Sequence, residues 1–369
     1  MKKLLLGIAA VCLAGFTFAQ DAPLWMRHSV ISPDGTTIAF TYKGDIYTVP
    51  VAGGRAMQIT TNPAYDTAPV WSPDSKRIAF ASDRMGSLDV YIVAKDGGEP
   101  RRLTTHSGSE TPLAFTDAGH VLFSAGIMPS AEAVVFPSNG QFNQVYRVSV
   151  EGGRPTMISS MPMECISINK EGAMLYQDKK GYEDYWRKHH VSPIARDIWM
   201  YTPGKEPQYR QLTTFGGEDR EPVWAPDGKT FYYLSEENGS FNIYRRTPGD
   251  AKAVQLTHYT KNPVRYLSAA TDGRLCYGFD GEIYTLLPGG EAQKVNISIV
   301  SDRNDKDIIR QIKSSGATEM AVSPDGKEVA FVLRGDVYVT SVEYKTTKQI
   351  TNTPCQERTC LLYTSDAAD

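Results

Sequence analysis

The chain lacks a strong charge of either sign and contains few cysteines. Its 369 residues include 39 lysines and arginines against 42 aspartates and glutamates, which gives a formal net charge of −3. A chain with this balance has no basic footprint for nucleic acid. The four cysteines after the N-terminal segment follow no metal-binding spacing, so we expect single buried thiols and not a disulfide framework.

Common catalytic motifs and long apolar runs are also missing. No nucleophile elbow, zinc-binding helix, phosphate loop or dinucleotide fingerprint occurs in the sequence. We therefore predict no catalytic residue, no metal ion and no cofactor in this chain. One apolar stretch, residues 4–16 after Met1-Lys2-Lys3, is too short to span a membrane and indicates a secretory signal peptide over residues 1–19. We expect an exported, periplasmic protein with no membrane span.

The chain does contain a short turn phrase that recurs seven times. The phrase reads Ser-Pro-Asp-Gly in its clearest form and is followed by an alternating apolar run. The copies begin at Ser32, Ser72, Thr116, Asn169, Ala225, Thr271 and Ser323. Each begins 40 to 56 residues after the one before it. A unit of about 40–50 residues made only of strands predicts an all-β fold, a β-propeller of four-stranded antiparallel blades.

A polar residue opens the predicted third strand of every copy. These residues are Asp45, Asp89, Gln144, Asp197, Asn242, Glu282 and Asp336. A ring of metal ligands is one interpretation of such a series. We favour a second interpretation, in which each side chain caps its own strand by bonding to local backbone.

A single break in the rhythm sets the predicted domain boundaries. Six copies form a six-bladed propeller over residues 25–299, and a charged connector follows at 300–316. A fresh copy over residues 317–359 is either a seventh blade of the same ring or, as we predict, the first blade of a second, truncated propeller. Residues 360–369 do not match the repeat, and a foreign origin for this tail is an open alternative. Because a repeat unit is cut there, we expect the chain to be the front of a longer protein.

Three stretches resemble the N-terminal region of bacterial tricorn-protease-like proteins. They are Trp25-Met26-Arg27-His28, the segment 182–199 with its Ala195-Arg196-Asp197-Ile198-Trp199 end, and Arg334-Gly335-Asp336-Val337-Tyr338. The resemblance extends over nearly all of residues 25–359. It implies a six-bladed propeller, then a seven-bladed one, then an interaction domain and a serine-peptidase domain whose catalytic residues lie beyond this chain. It also implies that the propellers filter peptide substrates.

The insert of the fourth copy, residues 182–196, contains the one enriched cluster of cationic and aromatic residues. Arg187, His189, His190 and Arg196 predict a patch that holds a peptide carboxylate at a propeller mouth. The alternative is that these side chains anchor a long insert to the edge of its blade. His189 and His190 are poor metal ligands, because adjacent side chains on a strand point to opposite faces.

These observations favour the non-catalytic propeller part of an exported serine peptidase. Its expected partners are peptides or unfolded polypeptide, its own downstream peptidase domain and a further copy of itself. Two other classes stay open. One is a stand-alone protein-binding propeller resembling the translocation protein of the Tol system, and the other is the propeller of a prolyl-oligopeptidase-like enzyme. The further copy of the repeat after the first six favours the propeller part of an exported serine peptidase.

Overall fold

A computed structural model describes residues 23–126, 143–181, 191–300, 315–344 and 346–360. The regular structure in these ranges consists of β-strands, arranged in sheets of four antiparallel strands, to one of which a fifth strand is added in parallel. The all-β prediction is therefore confirmed. The described residues fall into two compact units, one ending at Val300 and one starting after it. Within these ranges no helix is long and apolar enough to cross a membrane.

The first unit contains six sheets, each formed by consecutive strands. Sheets one to three contain β1 (Arg27–Ile31), β2 (Thr37–Tyr42), β3 (Asp45–Pro50), β4 (Gly54–Gln58); β5 (Asp66–Trp71), β6 (Arg77–Ser82), β7 (Asp89–Ala94), β8 (Arg101–Arg102); and β9 (Glu110–Asp117), β10 (His120–Ala125), β11 (Gln144–Ser149), β12 (Thr156–Ser159). Sheets four to six contain β13 (Met163–Ile168), β14 (Met174–Asp178), β15 (Ile198–Thr202), β16 (Gln208–Gln211); β17 (Asp219–Trp224), β18 (Phe231–Ser235), β19 (Asn242–Arg246), β20 (Val254–Gln255); and β21 (Arg265–Ala269), β22 (Leu275–Phe279), β23 (Glu282–Leu286), β24 (Gln293–Lys294). A last strand, β25 (Ile297–Ile299), pairs in parallel with β4.

The turn phrase joins the first two strands of its sheet, and its side chains explain why it turns. The Ser32 hydroxyl donates to Asp34 Oδ1 over 2.5 Å, and the Gly35 N–H donates to the Ser32 carbonyl over 2.9 Å. Gly35 has a φ of 72°, a left-handed conformation that suits glycine. The hydroxyl–carboxylate bond recurs at Ser72 and Ser323. The sequence phrase is therefore a self-bonded turn of fixed geometry.

A second recurrent contact fastens the end of the fourth strand to the third. The Thr60 hydroxyl accepts a hydrogen bond from the backbone N–H of Ile46 over 2.9 Å. Thr104, Thr213, Thr257 and Thr351 make the same bond in their own sheets. The threonine that closes the Gln-Leu-Thr or Gln-Ile-Thr ending of a copy therefore stabilises the start of the neighbouring strand.

The polar residues that open the third strands have partners other than those expected. Asp89 pairs with Arg102 over 2.9 Å, Asp197 accepts from Gln211 over 3.0 Å, and Glu282 pairs with Lys294. Each of these partners is a side chain on the fourth strand of the same sheet. The prediction of local backbone capping is wrong for these three acids. It holds for Asn242, which donates to the Ser240 carbonyl over 3.0 Å.

The core lies between sheets, and each second strand contributes an aromatic or large apolar side chain to it. Phe40, Phe80 and Phe123 are fully buried. Each faces a tyrosine on the third strand, with ring centres 5.6 to 5.9 Å apart. Such aromatic pairs stabilise a fold by about 0.5–1.5 kcal/mol beyond the burial of their area. One sheet has two faces to cover, so its neighbours on both sides complete its core.

The six sheets contact one another through their first strands. β5 contacts β1 and β9, β13 contacts β9 and β17, and β21 contacts β17 and β1. A residue at or just before the start of a first strand also donates its N–H to a carbonyl one or two residues before the third strand of the preceding sheet. Such bonds join Asp66 to Gly44, Glu110 to Leu88, Asp219 to Arg196, Val264 to Phe241 and Met26 to Gly281. We call each of these junctions a seam.

Within the described residues, the second unit contains one sheet, whose strands follow the same order as those in the sheets of the first unit. Its strands are β26 (Ala317–Val322), β27 (Glu328–Leu333), β28 (Asp336–Ser341) and β29 (Thr347–Gln349). Phe331 stacks on Tyr338 with ring centres 5.6 Å apart, as in the first unit. Beyond β29, the Glu357 N–H donates to the Gly335 carbonyl over 2.8 Å, which is the seam bond again. Met320, Val322 and Tyr344 are exposed.

Candidate functional site at the bulged ends of the first strands

All six first strands of the first unit bulge close to their start. The pairing register shifts in β1, β5, β9, β13, β17 and β21. Five of the bulges hold a left-handed residue other than glycine, with φ between 49° and 58°: His28, Ala68, Cys165, Glu221 and Tyr266. Such residues are uncommon, and a bulge redirects the side chains around it. β9 has Pro112 at this position, where the ring fixes a negative φ.

The bulges turn backbone N–H groups toward the neighbouring sheet, where side chains accept them. The Leu267 N–H donates to Glu221 Oε2 over 2.7 Å, and the Glu221 N–H donates to Gln177 Oε1 over 2.9 Å. The Gln177 amide in turn donates to Glu164 Oε2 over 3.0 Å. A continuous polar path therefore crosses sheets four, five and six at their bulged ends.

Five charged residues surround this path, and we call them the charged cluster: Glu164, Arg196, Glu218, Arg220 and Glu221. Arg196 Nε lies 3.0 Å from Glu164 Oε2, and its Nη1 lies 2.7 Å from Glu218 Oε1. Arg220 reaches the other oxygen of Glu218 over 2.5 Å. The side chains of Glu218 and Arg220 are 0% and 2% exposed. Buried charges persist in proteins when they are paired in this way.

The electrostatics of the cluster favour ionised carboxylates. Burial opposes the charge of Glu164, but the charges of Arg196 and Lys179 and the hydrogen bonds from Gln177 and Arg196 together hold the pKa of this carboxyl below its ordinary value. Burial likewise opposes the charge of Glu218, and the hydrogen bond from Arg220 helps to lower its pKa. The guanidinium pKa of Arg196 is raised despite burial, because both glutamates stabilise its charge. Glu164, Arg196 and Glu218 are therefore ionised at neutral pH.

Cys165 lies inside the cluster and is not prepared for nucleophilic chemistry. Burial and the nearby charges of Glu221 and Glu164 raise the pKa of its thiol well above the ordinary value. The thiolate is the reactive form of cysteine, so this side chain is inert at neutral pH. Cys276, Cys355 and Cys360 are also free cysteines. Among the described residues, no group of three histidine, cysteine or acidic side chains is placed to hold a metal ion.

The bulges of sheets one and six meet at a neutral histidine. His28 Nδ1 lies 3.1 Å from the Thr67 hydroxyl, and the His28 ring lies 5.0 Å from the ring of Tyr266. Burial, and then the charge of Arg27, lower the pKa of His28 to about 4. The imidazole is therefore uncharged at neutral pH and can exchange a hydrogen bond with the threonine in either tautomer.

The structure describes only one of the four residues that were predicted to form a peptide patch. Arg187, His189 and His190 lie outside the described residues, so their role stays a prediction. Arg196 is described, and its guanidinium does not point to solvent. It is 7% exposed and fixed between Glu164 and Glu218, which agrees with the anchoring interpretation of the insert's C-terminal end.

Sequence reasoning missed the acidic partners of Arg196. One signal for them was present: Glu218-Asp219-Arg220-Glu221 places four charged residues in a row at the start of a predicted core strand. Charged side chains there need partners, since β17 is buried along most of its length. Glu164 had no comparable signal, because a single glutamate between apolar residues of β13 is ordinary in a sequence.

Comparisons with known proteins agree with this architecture. The family model of the tricorn protease N-terminal beta propeller domain matches residues 23–292. The chain is 26% identical over 289 residues to tricorn protease homolog 1 of Streptomyces coelicolor, which covers 77% of this chain and 26% of that protein. It is 25% identical over 333 residues to the tricorn protease of Thermoplasma acidophilum, which covers 86% of this chain and 29% of that protein.

A solved structure shows the same fold. The crystal structure of the tricorn protease matches with a TM-score of 0.63 at 19% identity, over 90% of this chain and 32% of that chain. At this identity the likeness concerns the fold alone. The chain spans less than a third of the length of each of these relatives.

Proposed function

The chain belongs to the family of tricorn protease N-terminal β-propeller domains, and from this premise we propose that it is the non-catalytic, substrate-admitting part of a longer, exported serine peptidase. We also propose that its first unit closes as a six-bladed propeller. In this proposal the second unit is the first blade of another propeller. Peptide bonds are cleaved by a domain outside this chain.

The contacts between first strands support a closed six-bladed ring. They run from sheet one to sheet six in order and return from β21 to β1. Two further bonds join the ends of the unit: Met26 N–H to the Gly281 carbonyl over 3.2 Å, and Gly54 N–H to the Asn296 carbonyl over 2.8 Å. Closure by both a first strand and the late strand β25 leaves no unpaired sheet edge at the junction.

The seam bond of the second unit supports a further propeller. Glu357 donates to Gly335 just as Asp66 donates to Gly44 between the first two sheets of the first unit. A segment placed in this way stands where the first strand of a next blade begins. The exposed Met320, Val322 and Tyr344 are side chains that a neighbouring blade would cover.

The position of the charged cluster supports a role in admitting peptides, and it is the observation that carries the proposal. If the first strands surround the axis of a ring, their bulged ends form one mouth of the central channel. Polar groups from sheets one, four and six that keep part of their surface exposed then meet at this mouth: His28, Glu164 and Tyr266. An unfolded polypeptide offers unpaired amides and carbonyls, which such a rim can bind without selecting one sequence.

Binding and cleavage assays on two proteins test the proposal. The full chain is titrated with a fluorescent peptide of 10 to 15 residues, once with a free carboxylate and once with an amidated C-terminus. The longer gene product is assayed for cleavage of the same peptides. We expect binding without cleavage by the chain, and cleavage by the gene product.

Three controls separate the possible failures. Arg187→Ala is expected to weaken binding of the free carboxylate and to leave binding of the amide unchanged. Cleavage by the chain itself contradicts its non-catalytic role. A longer gene product that binds a folded periplasmic protein and cleaves no peptide contradicts the peptidase assignment. Edman sequencing of the exported protein is expected to start just after Ala19.

A further inference from the structure

Two seams of the first unit bring two buried carboxyl groups together. In the seam between sheets two and three, Asp89 opens β7 and Glu110 opens β9. The two residues are 0% and 1% exposed. The Glu110 N–H is held by the Leu88 carbonyl over 2.7 Å, which fixes Glu110 beside the start of β7.

The hydrogen-bonding capacity of this pair is not met by its surroundings. Asp89 has one ion-pair partner, Arg102, at 2.9 Å. The polar groups that act most strongly on the Glu110 carboxyl are the Thr104 hydroxyl and the Asp89 carboxyl. Both oxygens of Glu110 and Oδ1 of Asp89 are nevertheless buried without a hydrogen bond of ordinary geometry. Two carboxylates therefore share one cation.

The seam between sheets four and five repeats the arrangement. Asp197 precedes β15 and Asp219 opens β17, and they are 5% and 2% exposed. Lys180 lies 2.5 Å from Asp197 Oδ2 and 3.6 Å from Oδ2 of a third carboxyl, Asp178, which also accepts the Asp197 N–H. One oxygen of each aspartate is buried without a hydrogen bond. Among the described residues, the groups that act most strongly on the Asp219 carboxyl are Ser235, Thr213, Asp197 and Glu237, and none of these carries a positive charge.

The seam between sheets one and two contains an acid that has a cation of its own. Asp66 occupies the position of Glu110 and Asp219, and Arg84 pairs with it over 2.8 Å. The residue that corresponds to Arg84 in sheet five is Glu237, because Asp219 pairs with Ser235 as Asp66 pairs with Ser82. The second cation is thus replaced by another acid in the seam between sheets four and five.

We propose that the seams Asp89–Glu110 and Asp197–Asp219 each hold one proton shared between two carboxyl groups, so that the packing of these sheets depends on pH. A carboxyl–carboxyl contact is a hydrogen bond only when one partner is protonated. With the proton bound, one cation balances one carboxylate. When the proton leaves to solvent, two like charges face each other in a buried seam with a single cation between them.

The electrostatics agree with a proton held up to neutral pH. Burial, and then the charge of Asp89, raise the pKa of Glu110 to about 7 against the opposing effects of Thr104 and Arg102. Burial, with the charges of Asp197 and Glu237, raises the pKa of Asp219 to about 7. A folded-state pKa above the unfolded value means that stability is highest at acidic pH and falls as pH rises toward 7.

His28 titrates with the opposite sign, and the experiment must separate it. Its folded pKa of about 4 lies below its ordinary 6.5, so it increases stability as pH rises from 4 to 6.5. Comparisons between wild type and carboxyl variants cancel this effect. Each shared proton changes the unfolding equilibrium constant by up to about tenfold per pH unit over the range in which only the folded state holds it.

The full chain is unfolded with urea at pH 5, 6, 7 and 8, together with Glu110→Gln, Asp219→Asn and the double variant. The side-chain amides introduced by these substitutions can donate a hydrogen bond within each seam at every pH. We expect the double variant to lose most of the fall in stability that wild type shows from pH 5 to 7, and to exceed wild type at pH 8. Asp66→Asn is the control, which is expected to lower stability at every pH without changing the slope. A slope that the double variant retains overturns the proposal.

A measurement on the wild-type chain decides the case even where a variant fails to fold. Infrared spectra in heavy water, with isotope-labelled glutamate or aspartate, detect the C=O stretch of a protonated carboxyl. We expect this band at pH 6 for one glutamate and one aspartate, and its loss by pH 8.5. Hydrogen exchange in β9 and β17 is expected to increase over the same range, while exchange in β21 stays constant. A spectrum at pH 6 without a protonated carboxyl also overturns the proposal.

Discussion

Removal of Arg196 is the perturbation that most directly tests how the bulged ends are held together. In the Arg196→Ala variant, Glu218 keeps Arg220 as its cation, and Glu164 keeps the Gln177 amide and Lys179 at 3.4 Å. Both glutamates lose one charge-assisted bond. Glu218 is fully buried, whereas the Glu164 side chain is 29% exposed and can recover water. The loss is therefore dominated by Glu218.

The expected destabilisation is about 3 kcal/mol. Removing one partner of a buried ion pair costs about 3–5 kcal/mol, because the other charge is left without compensation. The lower end applies here, since Arg220 still neutralises Glu218. A domain of this size loses about 2 °C of melting temperature per kcal/mol, which gives a fall of about 6 °C.

Thermal melts and urea unfolding at pH 7 measure the effect, and Arg210→Ala is the matched control. Arg210 lies on β16 of the same sheet and is exposed, so its removal is expected to change stability by less than about 0.5 kcal/mol. Because the pKa values of Glu164 and Glu218 are lowered, their contribution is lost as pH falls below about 4.5. The two proteins therefore converge in acid. An Arg196→Ala variant that melts like wild type but binds peptide more weakly would refute the anchoring argument and restore the recognition patch.

Three further outcomes are expected from other parts of the molecule. Thr104→Val removes the hydroxyl that accepts the buried Val90 N–H and should cost about 1–3 kcal/mol in urea unfolding; an unchanged midpoint would show that this bond is dispensable. Gly53→Ala places a Cβ 2.6 Å from the Asn296 carbonyl, whereas Gly152→Ala in the corresponding turn meets nothing; both require a positive φ, so a larger loss of melting temperature at Gly53 tests the closure by β25, and equal losses contradict it. His28→Gln should flatten the rise in stability between pH 4 and 6.5, because the folded pKa of His28 lies near 4; a titration curve like that of wild type would contradict this assignment.

The strands were predictable from sequence because their signals are local. The turn phrase is held by contacts within five residues, such as Ser32 with Asp34 and Thr37. The hydrogen bond from the Ile46 N–H to the Thr60 hydroxyl connects residues only 14 apart in the sequence. A pattern that recurs along the chain reports such contacts once per copy, and the sheets follow from their repetition.

The charged cluster was not predictable in the same way, because packing assembles it from separate sheets. Glu164 and Glu218 lie on either side of the insert, and Arg196 joins them only when β13 and β17 pack together. Exposed arginines and buried ones look alike in a sequence. The capping prediction failed for a related reason: Asp89 and Asp197 reach side chains across the sheet, and nothing in a single strand shows what lies on the next one.

The distribution of acids over the seams argues that the paired carboxyls form interacting units. Where Met163 or Val264 stands at or just before the start of the first strand, the third strand of the preceding sheet begins with the neutral Gln144 or Asn242. Glu282 is an acid beside an apolar residue, and Lys294 neutralises it. If each polar residue acted alone as a cap, acids would occur without regard to the neighbouring strand. Instead, a second carboxyl accompanies Asp45, Asp89, Asp197 and Asp336, at Asp66, Glu110, Asp219 and Glu357. A seam with two acids needs a means of balancing the second charge. Arg84 supplies it beside Asp66, and in our proposal a shared proton supplies it in the seams Asp89–Glu110 and Asp197–Asp219, where the described residues include no second cation.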